Sequence, residues 1–200
     1  KKFFAELDDA IDVLTPLASA GATLMQDYDN VYDGSVKNWV KFANTLRLRL
    51  AIRVAYADAA LARTEAEKSI NNVIGVIEAV DEHAELLHSK LNYYHPNYDM
   101  QETFNAGEIR MSAAMDSYMN GYNDPRRTAY FKTAADDGGY HGVRCGTGNI
   151  SSKVSAYAGA KISKLNIDKT TTPIVWMTAA ESYFLRAEGA LRGWNMGGTA

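Results

Sequence analysis

The sequence is poor in cysteine, in net charge and in long apolar runs, and each shortage closes off a class of function. Cys145 is the only cysteine in 200 residues, so no internal disulfide can form. A lone thiol in a Gly-rich stretch, with His141 and Arg144 near it in sequence, lacks the positioned base and oxyanion site that an activated nucleophile requires. Lys and Arg number 21 against 24 Asp and Glu, a net charge of -3. No basic field exists to hold nucleic acid or an anionic membrane surface. No stretch approaches the roughly 20 apolar residues needed to span a bilayer.

Catalytic and cofactor signatures are also missing. There is no G-x-S-x-G elbow, P-loop or G-x-G-x-x-G fingerprint, and Gly146-Thr147-Gly148 alone is loop chemistry. Glu6, Asp8, Asp9 and Asp12 form a solvated helix face rather than a glycosidase pair. Asp29-x-x-x-Asp33-Gly34 has the outline of a calcium loop, but Val31 occupies a ligand position and Val40 falls where the bidentate Glu belongs. His83 and His88 stand five apart, which does not bring them onto one helical face, and His95 and His141 have no ligand partners nearby in sequence. The expectation is a protein that is not an enzyme and takes no metal or other cofactor.

What is present is helical patterning. With 46% hydrophobic and 22% charged residues the chain has the composition of a folded protein. Phe3, Leu7, Ala10, Ile11 and Leu14 recur at helical spacing, and Pro16 predicts the end of that helix. A polar loop, Asp27 to Gly34, carries Tyr28 and Tyr32. The longest helix is predicted over 36–62. There Trp39, Phe42, Ala43, Leu46, Leu50 and Val54 share one face, and Leu48, Ala51, Ile52 and Ala55 share another, so neighbours should pack on both. Thr64 and Glu67 fit a capping box that opens the next helix, with Ile70, Val73, Ile74 and Ile77 as its buried stripe. From Asp81 to Gly107 the chain turns aromatic and polar. Helix returns through Met111, Ala114, Met115, Tyr118 and Met119, with Gly121 placed to cap it. Residues 131–172 are rich in Gly, Ser and Thr, consistent with short strands or ordered loops. A last helix is predicted from Pro173 to Leu191. The fold class is all-α, mainly helical, with tetratricopeptide-like helix pairs and long loops, although no 34-residue self-similarity is present.

Four segments carry a more specific resemblance. Residues 32–53 (YDGSVKNWVKFANTLRLRLAIR), 118–126 (YMNGYNDPR), 140–144 (YHGVR) and 173–194 (PIVWMTAAESYFLRAEGALRGW) follow in order along the chain. They resemble the corresponding segments of SusD/RagB-like nutrient-binding lipoproteins. The resemblance implies a helical, tetratricopeptide-containing lipoprotein on the extracellular face of a Gram-negative outer membrane. It further implies a lid-like partner of a SusC-like TonB-dependent transporter, to which it hands oligosaccharide or, in some members, peptide. Members are considerably longer than 200 residues. The start at Lys1-Lys2-Phe3-Phe4 lies inside an amphipathic pattern, and Gly197-Gly198-Thr199-Ala200 reads as the beginning of a connection. Residues 1–200 are accordingly expected to be the central part of a single SusD-like domain, cut at both ends, with any lipid anchor outside them.

Sugar rings offer an apolar C–H face and a rim of hydroxyls, so loop aromatics beside polar residues are the candidate ligand contacts. These are Tyr28 and Tyr32; Tyr93, Tyr94, Asn97 and Tyr98, the favoured group; and Tyr140 with Arg144. Tyrosines that merely pin loops by packing are the alternative reading of each. Arg47, Arg49 and Arg53 on the long helix and Glu181 and Glu188 on the last helix could line a polar site. Their place on rigid helices assigns them instead to inter-helical ion pairs.

Overall fold

The computed structural model of the protein describes residues 1–87, 94–104, 109–146 and 159–199. Tyr93 and His88, singled out above, lie outside the described residues. The chain divides into two compact units, Lys1–Leu87 with Ile174–Ala200, and His88–Pro173.

In the first unit three helices stack in order: α1 (Lys2–Ser19), α2 (Val36–Val54) and α3 (Ala59–Asn71). Helix α1 buries Phe4, Ile11 and Ala18, and of these Ile11 and Ala18, flanked by Leu7 and Leu14, pack with Val36 and Val40 of α2. Leu7, Ile11 and Leu14 of the predicted stripe are thus packed, whereas Ala10 is exposed and Phe4 is buried in place of Phe3, which points outward, 69% exposed. Pro16 does not end the helix. It sits in the last turn, where it denies a partner only to the carbonyl of exposed Asp12, which water can reach.

Helix α2 has the two packed faces its sequence predicts. Leu48, Ala51, Ile52 and Ala55 are buried, while Trp39, Phe42 and Leu46 are partly buried against a second cluster containing Ile77, Met177 and Ala179. It starts at Ser35, whose side chain accepts the Asn38 N–H at 3.3 Å. It stops at Val54 rather than continuing to Ala62. Asp58, extended at φ -152°, takes the Leu61 N–H at 3.1 Å and opens α3 five residues after α2 ends. The Thr64–Glu67 box therefore does not form. Thr64 lies inside α3 and donates to the Ala60 carbonyl, and Glu67 accepts from Arg63 and from the Asn195 N–H. Helix α3 ends at Asn71, so its buried stripe is Ala62, Glu65, Ala66 and Ser69; Val73 is exposed and Ile77 is buried beyond the helix.

The predicted helix start at Pro173 is also replaced. Ile174–Met177 forms strand β2, antiparallel to β1 (Ala84–Leu86), with Ala84 opposite Met177 and Leu86 opposite Ile174. A β-branched and aromatic run suits a strand better than a first helical turn. Helix α7 (Ala179–Leu191) then begins at Thr178, whose hydroxyl accepts the Glu181 N–H at 3.3 Å.

The second unit carries α4 (Pro96–Asp99), a π-helical turn, α5 (Ala113–Gly121) and α6 (Arg127–Tyr130), joined by loops and isolated bridges. Met111, Met119 and Phe131 form its core with Tyr140 and Leu165. Gln101, fully buried, behaves as an extra strand residue: its amide accepts the Leu165 N–H at 2.8 Å and donates to the Leu165 carbonyl at 3.3 Å. Gly142 is obligatory here, since a Cβ would stand 2.3 Å from the Ser112 carbonyl oxygen. Gly121 is the last residue of α5 rather than its terminator. Asn123 at φ 48° takes the left-handed position: its N–H bonds the Asn120 carbonyl and the Asp124 N–H bonds the Met119 carbonyl, a Schellman ending followed by Pro125. No helix among the described residues is long and apolar enough to cross a membrane.

Candidate functional site

The charged residues of α2 do not converge on a ligand site. Arg49 makes a bidentate pair with Glu181, Nε and Nη2 each 2.5 Å from a carboxylate oxygen, and Nη2 also donates to the Trp176 carbonyl at 3.1 Å. This ties α2 to the start of α7. Arg47 is buried, 2.6 Å from Asp8 of α1 and 3.7 Å from Glu65 of α3, and Lys68 bridges the same two acids. Those partners lie on α1 and α3, not on α7. Arg53 is exposed and makes no ion pair with a described residue. Glu188 turns to its own helix and pairs with Arg192 at 2.7 Å.

The loop before α2 is organised by Asp29. Its carboxylate accepts four N–H bonds: Val31 at 2.9 Å, Tyr32 at 3.1 Å, Gly34 at 2.8 Å and the Trp39 indole at 2.7 Å. Burial pushes the carboxyl up, but the donors outweigh it and the group titrates below its ordinary value. The Asp29 carboxylate is thus an internal cap with its oxygens already engaged, not a calcium ligand. Tyr32 lies within the core, its ring edge-on to Trp39 at 5.2 Å and its hydroxyl donating to the Glu82 carbonyl at 3.0 Å. Burial, with the Glu82, Asp29 and Glu85 carboxylates around it, pushes its phenol up. Tyr28 points the other way, 79% exposed, over a cleft of about 460 Å³ walled by Leu24, Met25, Val31, Leu86 and Trp176. Apart from Asn30 and the already engaged Asp29, its lining is apolar or glycine. It offers a sugar rings to stack on and few groups to bond hydroxyls.

In the second unit Tyr94 and Tyr98 come together. Their rings meet edge-to-face at 6.4 Å, Lys169 Nζ stands 4.9 Å over the Tyr94 ring, and Asn97 is exposed between them. His95 anchors this segment: its N–H bonds the Lys169 carbonyl at 2.8 Å and its Nδ1 accepts the Asn97 N–H at 3.1 Å. Tyr94 remains 48% exposed, so a ring face is available to a ligand on a backbone that is fixed in place.

Tyr140 is half-buried against Met111, Met119 and Phe131, with the Arg127 guanidinium 4.6 Å over its ring. The ring packs on that cluster. Arg144 is exposed four residues on. Next to Tyr140, however, His141 lines a polar cleft of about 290 Å³ with Asp116, Asp136, Asp137 and Lys161. Asp137 accepts from the His141 ring at 2.8 Å and from the Gly139 N–H at 2.8 Å, and these bonds hold its carboxyl below the usual range. Asp116 accepts the Gly142 N–H at 2.8 Å. Among the described residues no three His, Cys, Asp or Glu side chains are grouped to hold a metal ion.

Sequence reasoning missed Trp176 and the Asp137–His141 pair. Trp176 was concealed by assigning 173–191 wholly to helix. The Asp137–His141 spacing of four was visible, but it falls in a loop where spacing alone does not imply contact.

A family model described as Susd and RagB outer membrane lipoprotein (SusD-like) matches residues 1–200. Among solved structures, a chitin-binding SusD homologue from Flavobacterium johnsoniae is 43% identical, with a TM-score of 0.82 over 98% of this chain and 40% of its own. A SusD-like protein from Bacteroides thetaiotaomicron is 41% identical, with a TM-score of 0.80 over 98% of this chain and 40% of its own. A SusD homologue from Bacteroides uniformis is 37% identical, with a TM-score of 0.80 over 100% of this chain and 40% of its own. No curated protein matches the chain. The chain therefore spans 40% of the length of these solved relatives.

Proposed function

This chain belongs to the SusD-like family of outer-membrane lipoproteins, and from that premise we propose that it is part of a cell-surface protein that captures glycan without transforming it. The captured glycan passes to a SusC-like TonB-dependent transporter, and the protein works at the extracellular face of the outer membrane. The observation that carries the reading is the 43% identity, over nearly the whole chain, to a homologue that binds chitin. The surface at Tyr94, Asn97 and Tyr98 supports it, because it combines the exposed Tyr94 ring and the partly buried Tyr98 ring with an amide and the Lys169 ammonium. A shallow site of this kind recovers little area after immobilising its ligand, so affinity per site is modest.

The test is native affinity electrophoresis of the intact protein through gels containing one polysaccharide each, glycol-chitin among them. Retardation of the wild type and its loss in a folded Tyr94→Ala/Tyr98→Ala variant is the expected result. Retardation that survives in the variant removes Tyr94 and Tyr98 from the site while leaving glycan capture standing. A second reading, a helical scaffold whose partner is another protein, draws on the apolar cleft beside Tyr28 and Trp176. Absence of retardation in every gel favours that reading, or peptide capture.

A further inference from the structure

Helix α5 is held by one face and bare on the other. On the held face Asp116 accepts from the Gly142 N–H, and Asn120 donates to the Tyr140 carbonyl at 2.8 Å and accepts from Arg127 at 2.6 Å. Two residues further along each time, about 200° around the helix, stand Tyr118 and Tyr122. They are 67% and 80% exposed, and their rings lie nearly parallel, 17° apart in plane with centroids 6.2 Å apart. Neither ring belongs to a hydrophobic cluster among the described residues. Two large, mostly exposed aromatic side chains that pack on each other and on no described hydrophobic cluster, carried by an anchored helix, mark an interaction surface.

The chain that follows Tyr122 is polar and hydrogen-bonded within itself. The Schellman ending at Asn123 leads directly to Asp124, which clamps the Arg126 guanidinium with Nε at 3.0 Å and Nη2 at 2.6 Å. Tyr130, 48% exposed, adjoins Arg126. A partner helix would require a continuous aliphatic stripe, whereas this segment offers hydroxyl-bearing rings followed within four residues by a carboxylate and a guanidinium. That combination matches a saccharide, whose C–H faces stack on rings and whose hydroxyls bond charged groups.

We propose that Tyr118 and Tyr122 form a second saccharide-stacking platform, distinct from the Tyr94–Tyr98 surface, which engages neighbouring rings of an extended glycan. This rests on the glycan-capture reading. Its consequence is selectivity for length: a short oligosaccharide fills one surface, while a polymer engages both through effective concentration. Prior anchoring of α5 spares the platform an ordering cost on binding.

The experiment compares the intact wild type with Tyr118→Ala/Tyr122→Ala and Tyr118→Phe/Tyr122→Phe variants, using as probes a short oligosaccharide and the polymer of the same sugar. The alanine variant is expected to melt as the wild type does, to bind the short probe at the Tyr94–Tyr98 surface with wild-type affinity and to lose about tenfold in affinity for the polymer. The phenylalanine variant is expected to retain most polymer affinity, since the ring face is kept. Wild-type polymer affinity in the alanine variant overturns the platform. So does a marked drop in its melting temperature, because that shows the rings to be packed in the intact protein. If the wild type binds no glycan, the platform falls together with the reading on which it rests.

Discussion

At the scale of single residues, the loop before α2 depends on two side-chain identities. Gly34 sits at φ +81°, and a Cβ there would lie 2.5 Å from the Leu24 carbonyl oxygen and 2.9 Å from Thr23 Cγ2. Gly34→Ala is expected to destabilise the protein by about 2 kcal/mol or more, read from chemical denaturation, since left-handed strain and a backbone clash add. Asp29→Asn trades two acceptor oxygens for one and places an amide donor against N–H groups, at an expected cost of about 1–3 kcal/mol. The aspartate also sets a pH dependence. Its folded-state value is lowered, so its stabilisation is complete above the ordinary aspartate value of 3.8 and is lost as pH falls through the lower folded value. A denaturation series across that range in wild type and Asp29→Asn should show the acid-side loss shrinking in the variant. The sequence displayed Asp29, Asp33 and Gly34 plainly but did not show that Asp29 caps its own loop. Val31 and Val40 already spoke against a calcium loop, and the four N–H donors converging on the Asp29 carboxylate show what the residue does instead.

At the scale of elements, α2 is the axis of the first unit, and its charged residues join it to its neighbours. Removing Arg47 strands Glu65, whose side chain is 6% exposed, as a buried charge with only Lys68 beside it. Arg47→Met should therefore cost about 3–5 kcal/mol. Arg47→Met/Glu65→Met should recover much of that, because the double change leaves no uncompensated charge. The Arg49–Glu181 pair is partly exposed, so its coupling in a double-mutant cycle is expected near 1 kcal/mol. Helical character and the two-faced α2 were legible from period alone. Boundaries were not, wherever two local signals competed: Asp58 displaced the Thr64 cap, Asn123 displaced Gly121, and the Ile174–Met177 run paired with β1 instead of extending α7. In each case the outcome was set by a partner distant in sequence or by a stronger capping group, and neither appears in a helical-period count.

At the scale of the molecule, the family was readable from four ordered segments, whereas which of the candidate aromatics face solvent was not. The four segments lie largely in helices and their caps, where packing restricts the sequence to a recognisable pattern. Aromatics chosen by composition divided instead into core (Tyr32, Tyr140) and surface (Tyr28, Tyr94), a distinction that depends on which way each ring turns. The central claim is glycan capture, and calorimetric titration of the intact protein with N-acetylglucosamine oligomers of increasing length tests it most directly, followed by other oligosaccharides if those give no heat. Saturable binding that strengthens with chain length is the result the account predicts. Absence of binding heat with every saccharide, from a protein shown to be folded, would contradict it.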